Sequence, residues 1–386
     1  MLAACAPSPR APNLLVVSVD TLRADRVGKP DARGHSLTPN LDALAASATV
    51  FTQAWSPANE TLYAHAALFT GELPSTLGAG DYARFSIADR PTLASVLRGL
   101  GYRTEAVVAG GHLAPEFGLG VGFERYASGR DFGSFQQTVP LAIERLERLA
   151  DDARPWLLFV HGYDVHAPYV SPLFNHETPD YAGPLADLSL VPWTFETLLG
   201  GARYPGFRPP TVTRSTGAPA EEGDALAAWA AAHPEDAVPL GEGDLAFVRG
   251  QYDSAARYAD YQLGRLFEAL DRVDPDGETV VVVLSDHGEE LLEGGRVGHR
   301  HTLSDETLHV PLIVRDRARP PGRIDSPVSL LDLFPTLTAR AGAPASPTLF
   351  TPDPAREVVS EAADSTRSGR SARGRRPLPG KGGATP

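Results

Sequence analysis

Uninterrupted apolar runs that stop at an acid or a histidine recur along this chain. The first is NLLVVSVD over residues 13–20, another is PWLLFVHGYDVHAPY over 155–169, and the strongest is ETVVVVLSDHGEE over 278–290. Runs of this length without alternation suit strands buried on both faces, as in a parallel sheet. Between them the period lengthens to that of helices. TPNLDALAAS offers Thr38 as N-cap and Pro39 at the first helical position, with Leu41, Leu44 and Ala45 at helical spacing. PTLASVLRGLGYRTEAVVAGG reads as a helix closed by Gly101 and a strand ending at Gly110, and SAARYADYQLGRLFEALDRV as an amphipathic helix. HVPLIVRD and SLLDLFPTLTARAG add a further strand and helix. This alternation predicts an α/β fold with a mostly parallel central sheet between helical layers. In such sheets ligands collect beyond the carboxyl ends of the strands. Four of those ends carry chemistry here: Asp20, the region of His112, His161 to His166, and Asp286-His287.

Two segments break the pattern. Residues 172–243 are rich in Pro and Gly and read as an irregular insertion over the mouth of the site. Residues 346–386 lose their periodicity, and RSGRSARGRRPLPGKGGATP marks them as a truncated or disordered tail. Charge changes the picture further. The net charge of −13 argues against a nucleic-acid partner. Lysine occurs only at Lys29 and Lys381, so anion binding falls to His, Arg, backbone N–H groups or a metal. Cysteine occurs once, at Cys5, which excludes an internal disulfide. Leu2-Ala3-Ala4-Cys5 resembles the lipobox of a bacterial lipoprotein signal, making 1–12 a candidate signal remnant, although the charged and apolar regions of such a signal are missing. On that reading the protein is exported, periplasmic or at the outer surface, and anchored to a membrane through a lipidated Cys5. If Met1 is the true start, it is cytoplasmic. No run approaches the ~18 apolar residues of a membrane span.

The candidate chemistry starts at strand ends. Asp20 either caps a helix or, because an isolated buried carboxylate is costly, holds a metal. Asp286 and His287 offer the oxygen and nitrogen donors that suit a divalent cation of intermediate hardness, or form an ordinary acid–imidazole pair. In SPANETLYAHAALFTG, Thr61 is either a helix N-cap or a nucleophile, and Gly71 stops the helix. As a nucleophile it needs a base or a metal; Asp20, Asp286 and His287 would supply the metal, with Thr61 as a further ligand. His161, His166, His299 and His301, with Asp164, sit at turns after strands, where an imidazole can contact an ester oxygen or protonate a leaving group.

These stretches together resemble the sulfatase family of the alkaline phosphatase superfamily. The resemblance runs in family order from NLLVVSVDTLRAD, through TLYAHAALFTG, FVHGYDVHAPY and VVVVLSDHGEE, to GHRHTLSDETLHVPLIV and SLLDLFPTL, over residues 13–345. It implies a catalytic three-layer αβα sandwich, followed by a C-terminal subdomain that is cut short here. Asp20, Asp286 and His287 match the metal ligands and Thr61 matches the nucleophile. His166 and His299 match residues that contact the transferred group and the leaving group; His65 and His301 are candidate substrate contacts. There are departures. Sulfatases proper carry Cys or Ser within Cys/Ser-x-Pro-x-Arg, which is oxidised to formylglycine. Here Thr61-Leu62-Tyr63-Ala64-His65 stands instead, so formylglycine is not expected. Threonine with histidine four residues on resembles the nucleotide pyrophosphatase/phosphodiesterase branch. Thr21 replaces a second Asp, and His299 a Lys.

The resemblance thus implies a hydrolase of sulfate or phosphate/phosphonate esters that uses one divalent ion (Ca, Mg, Mn or Zn), a metal-bound Thr61 and a covalent intermediate. Its substrates would be small-molecule, glycan or lipid esters. The competing readings are a transferase passing a phospho-alcohol group to a lipid or glycan, and an inactive, truncated binding protein.

Overall fold

A computed structural model describes residues 11–129, 132–167, 169, 171, 173–174, 180–182, 242–291, 293, 297–300, 302–344, 348–351, 353–363 and 371–375. Cys5, His301 and nearly all of the 172–243 insertion lie outside the described residues.

In chain order, β1 (Leu14–Val19) leads to α1 (Pro39–Ala46), the short strands β2 (Thr49–Phe51) and β3 (Ala54–Trp55), and α2 (Thr61–Thr70). Then come α3 (Pro74–Leu77), α4 (Leu93–Gly99), β4 (Arg103–Val108), β5 (Arg125–Ser128), α5 (Phe135–Ala150) and β6 (Trp156–Gly162). The later part holds α6 (Glu242–Val273), β7 (Val280–Leu284), β8 (Glu290–Leu291), β9 (Val297–Gly298), α7 (Asp305–Leu308) and β10 (Leu312–Arg315). After β11 (Gly322–Ile324) and β12 (Val328–Ser329), α8 (Leu333–Arg340) and the hairpin strands β13 (Val359–Ala363) and β14 (Ser371–Arg375) follow. The apolar runs therefore became β1, β6 and β7, as their lack of alternation predicts.

Eight strands form the main sheet in the order β11-β2-β10-β7-β1-β6-β4-β5. Strand β1 lies between β6 and β7 and is parallel to both, with Val17 opposite Val160 on one side and Val283 on the other. Only β10 runs against its neighbours, β7 and β2. Alternate side chains of β1 feed two cores. Leu15, Val17 and Val19 pack with Phe135, Val139 and Leu146 of α5 and Val248 and Leu263 of α6. Leu14 and Val16 pack with Leu62 and Phe69 of α2, Leu97 of α4 and Leu333 and Leu337 of α8. This is the expected three-layer arrangement, and each core follows from the period-2 geometry of a strand covered on both faces. No helix among the described residues is long and apolar enough to cross a membrane.

Two expectations need correction. Thr38 does not cap α1 with its side chain, because its hydroxyl accepts from Gly28 N–H at 2.9 Å. The Asp260 carboxylate of α6 takes the capping role, accepting from the N–H groups of Asn40 (3.1 Å) and Leu41 (2.8 Å). Nor is the segment 346–386 irregular throughout. Leu349 is buried in the core, and β13 pairs antiparallel with β14. Glu361 of β13 accepts from the backbone N–H and hydroxyl of Ser75 at 2.7 and 2.8 Å, and its own N–H donates to Pro57 O. This strand packs beside the loop that leads into α2, a partner that local periodicity does not reveal.

Candidate active site

The parallel strands β1, β6 and β7 end side by side, so the residues that follow them converge. Asp20 follows β1 directly, and its N–H donates to Gly162 O at the end of β6. The next residue, Thr21, takes a left-handed conformation (φ 58°) that turns its N–H toward Asp286 Oδ1, 3.3 Å away, in the loop after β7. Tyr252 of α6 holds this turn, donating to Thr21 O at 2.6 Å. The β7 loop is pinned at Gly288, where an added Cβ would come 2.0 Å from Glu306 O.

Helix α2 brings the third part. All ten of its residues are buried, and Gly71 closes it at φ 72°. Thr61 is the first helical residue, with Glu60 as the cap. Thr61 is therefore not the N-cap. Its hydroxyl donates to Asp20 Oδ2 at 3.2 Å and lies 3.2 Å from His287 Nε2. The unpaired N–H groups of a first helical turn, with the helix dipole, also favour an anion at this end.

Asp20, Asp286 and His287 each present a donor atom, all within 4.8 Å of one another, and all three residues are fully buried. His287 Nδ1 faces Gly288 O at 2.9 Å, which assigns the proton to Nδ1 and leaves Nε2 as an acceptor. Asp20 Oδ1 and Asp286 Oδ2 are buried without a hydrogen-bond partner. Burial, then the charges of Asp286 and Glu289, hold the Asp20 carboxyl well above the usual carboxylate range. Burial also pushes His287, His65 and His161 down, so the imidazoles do not supply the missing positive charge. Two carboxylates, a neutral nitrogen and a hydroxyl in one dry place make a donor set that fits a divalent cation.

His299 and His166 flank this cluster. The His299 ring is 4.4 Å from the His287 ring and 5.1 Å from that of His166. His299 Nδ1 donates to Glu289 Oε1 at 2.8 Å, and His166 Nδ1 to Ala167 O at 2.8 Å. Glu289 received no role from the sequence, although it lies two residues beyond His287. His65 differs from its expected role as a substrate contact. It lies one helical turn below Thr61 and is fully buried, with Nδ1 on Thr61 O at 2.8 Å and Nε2 on Ser18 Oγ at 3.0 Å. Phe69 and Phe159 pack against its ring. The residue braces α2 against β1 from beneath.

A doubly covered parallel sheet whose central strand ends meet in buried acid and histidine side chains defines the class: an α/β protein with a candidate metal site at its strand ends. The family model named Sulfatase matches residues 12–343, and the chain belongs to the sulfatase family. A sulfatase of Formosa agariphila is 24% identical over 376 residues, covering 86% of this chain and 69% of that protein. Mouse steryl-sulfatase is 26% identical over 427 residues, covering 87% of this chain and 63% of that enzyme. The match thus spans about two thirds of the length of these two relatives. In fold, the chain resembles the phosphonate monoester hydrolase of Agrobacterium radiobacter (TM-score 0.59, 23% identity, 86% of this chain and 74% of that one). It also resembles an alkaline phosphatase superfamily protein from Vibrio parahaemolyticus (TM-score 0.57, 18% identity, 92% of this chain and 73% of that one).

Proposed function

We propose that the chain is a metal-dependent hydrolase of sulfate, phosphate or phosphonate esters, with Thr61 as nucleophile and phosphorus esters preferred. One observation carries the reading: a single hydroxyl proton on Thr61 faces two acceptors, Asp20 Oδ2 and His287 Nε2, each at 3.2 Å. Asp20, Asp286 and His287 would hold the ion, with Thr61 Oγ1 beside it. A divalent ion held there (Ca, Mg, Mn or Zn) would lower the pKa of the hydroxyl and offset negative charge on the ester.

The chain's own residues supply the remaining steps. Thr61 Oγ1 forms a bond to phosphorus or sulfur as the bond to the alcohol oxygen breaks, and the Thr61 proton leaves toward Asp20 Oδ2. His299 or His166 protonates the departing alcohol oxygen, with Glu289 fixing the His299 ring through Nδ1. The N-terminal N–H groups of α2 support the anion. Water then attacks the covalent ester, giving a proton to the histidine that lost one, as the bond to Thr61 Oγ1 breaks and that oxygen recovers its proton from Asp20.

The preference for phosphorus follows from how the second step ends. A formylglycine hydrate expels sulfate by breaking a C–O bond, and threonine at position 61 has no such exit. A phosphorylated threonine is released by a second in-line displacement, which suits the site. Phosphonate monoester hydrolases and a steryl-sulfatase stand among the similar proteins, in keeping with both ester classes. Export with lipid anchoring at Cys5 is a further part of this reading, carried by Leu2-Ala3-Ala4-Cys5 alone. Initial rates on an aryl sulfate, a phosphate diester and a phosphonate monoester test the assignment. We expect the phosphorus esters to turn over faster; turnover confined to the sulfate refutes the preference.

A further inference from the structure

Around the buried cluster runs a set of half-buried side chains, of which only His166 has a part in the proposed chemistry. From His166, the ring of Phe132 lies 6.1 Å away, then His112 at 5.3 Å from Phe132, then Tyr82 at 5.3 Å from His112. Arg300 completes the series, its guanidinium 5.9 Å from the centre of the Tyr82 ring. His166 packs on His299, and Arg300 follows His299 in the chain, so the series begins and ends beside His299. The cluster residues Asp20, Thr61, Asp286 and His287 are fully buried, whereas these five are half-buried and lie farther out.

Arg300 is held in an unusual way. It takes a left-handed backbone conformation, φ 77°, that favours glycine and is strained for a long side chain. Its Nε lies 3.2 Å from Glu60 Oε1, and its Nη2 lies 3.0 Å from His112 Nε2. Burial, with Arg300 itself, pushes His112 down to about 3, so the ring is neutral and its Nε2 accepts from the guanidinium. Glu60 also accepts from the Tyr82 hydroxyl. The two halves of the ion pair are unequally covered: the Arg300 side chain is 27% exposed and that of Glu60 is 2% exposed. The pair therefore turns its cationic half outward. Backbone strain that Glu60 and His112 maintain, the first of them buried next to Thr61, indicates a guanidinium set in place for a ligand.

We propose that Arg300 and the aromatic collar bind the alcohol half of the substrate, and that this half is a ring carrying a negatively charged substituent. The rings of Phe132, Tyr82 and His112 offer faces for an aryl or sugar ring. The planar fork of Arg300 then pairs with a carboxylate or a second ester anion on it. This inference rests on the hydrolase reading for the word substrate, but the binding site stands on the collar itself.

The test uses the full chain and Arg300→Gly, a variant whose backbone suits φ 77° without strain; thermal melting checks that it folds. Titration calorimetry compares 4-hydroxybenzoate with phenol and glucuronate with glucose, the two pairs separating an aryl from a sugar ring. In the wild type the acid of at least one pair should bind about tenfold tighter than its uncharged partner, the worth of one good charge-assisted contact. In Arg300→Gly that ratio should fall to near one, with Arg300→Lys between. Rates on 4-carboxyphenyl and phenyl methylphosphonate should show the same loss of selectivity, carried by KM rather than kcat. An unchanged ratio in Arg300→Gly, or acids bound no tighter by the wild type, overturns the proposal even in an active hydrolase. Arg300-dependent acid binding in a protein that turns over no ester upholds the collar and refutes the hydrolase reading instead.

Discussion

Glu105 and Asp20 are both fully buried acids attached to the central sheet, and their surroundings are opposite. Glu105 lies in the first half of β4. Arg145 and Arg148 of α5 reach its Oε2 at 2.8 and 2.7 Å, Arg103 reaches Oε1 at 3.2 Å, and Arg125 stands 4.0 Å away. Asp20 lies past the far end of the neighbouring strands. It meets a hydroxyl, a second carboxylate and, 3.4 Å away, the Nε2 of a buried His161 whose burial keeps it neutral. A carboxylate in a low-dielectric interior requires a positive partner. The chain provides one for Glu105 from its own arginines and leaves the Asp20 cluster short. The first acid ties a helix to the sheet; the second fits the cation that we propose it receives from outside.

The largest effect expected from this contrast is at Asp286. Asp286→Asn should reduce bound divalent ion from about one per chain to background and lower kcat/KM by about a thousandfold or more. Elemental analysis and steady-state rates check both. In chelator the same variant should melt higher than the wild type, because it relieves two crowded carboxylates. A variant that melts lower in chelator breaks the contrast, since Asp286 would then be stabilising without its ion. Thr61→Ala should lose a similar factor in rate while keeping most of the ion, because the two carboxylates and His287 remain.

Glu105→Gln should do the reverse. Removing one member of a buried ion-pair group costs about 3–5 kcal/mol. The arginines here are 19–47% exposed, so the lower end, about 3 kcal/mol, applies after discounting for solvent. Denaturant unfolding measures the loss, and ion content should not change. A fall in ion content would show that the two sites are not separable.

What the sequence revealed and what it hid divides along the same line. Asp20, Asp286 and His287 were legible because each ends an apolar run, and the strand-end rule places ligands there. Thr61 could be named but not decided: its spacing fits a cap equally well, and only the position of Glu60 as cap frees the hydroxyl for Asp20. His65 was misplaced for a related reason. Four residues along a helix returns to the same face, but α2 is buried all round, and that face one turn down meets Ser18 rather than the cleft. Two of the partners of Glu105, Arg145 and Arg148, lie some forty residues on in α5, beyond the reach of any local pattern. In the tail, the Arg- and Gly-containing strand β14 has little strand propensity of its own, so its pairing with β13 is imposed by tertiary context. Glu289 and Arg300 sit in short irregular loops, where periodicity carries no signal at all.

Asp164 provides the finest test, because it is a buried acid of a third kind. Its Oδ2 accepts the Phe135 N–H at 2.6 Å, and its Oδ1 is buried without a hydrogen-bond partner. Burial, only partly opposed by the backbone hydrogen bonds, raises its carboxyl from 3.8 to about 7. In the folded chain the group keeps its proton up to that pH, whereas in the unfolded chain it releases it near 4. The unfolded state therefore binds fewer protons between about pH 4 and 7, and by linkage stability falls as pH rises through that window and levels off above it. From pH 6 to 8 the loss is about 1 kcal/mol, or roughly 2–4 °C in melting temperature for a domain of this size. Asp164→Asn has no proton to lose, and its amide oxygen can still accept from Phe135. Other groups titrate in the same range, so the quantity to measure is the wild-type slope minus that of the variant. Equal slopes would mean that water or a cation reaches Asp164, which would place it with Asp20 rather than between Asp20 and Glu105.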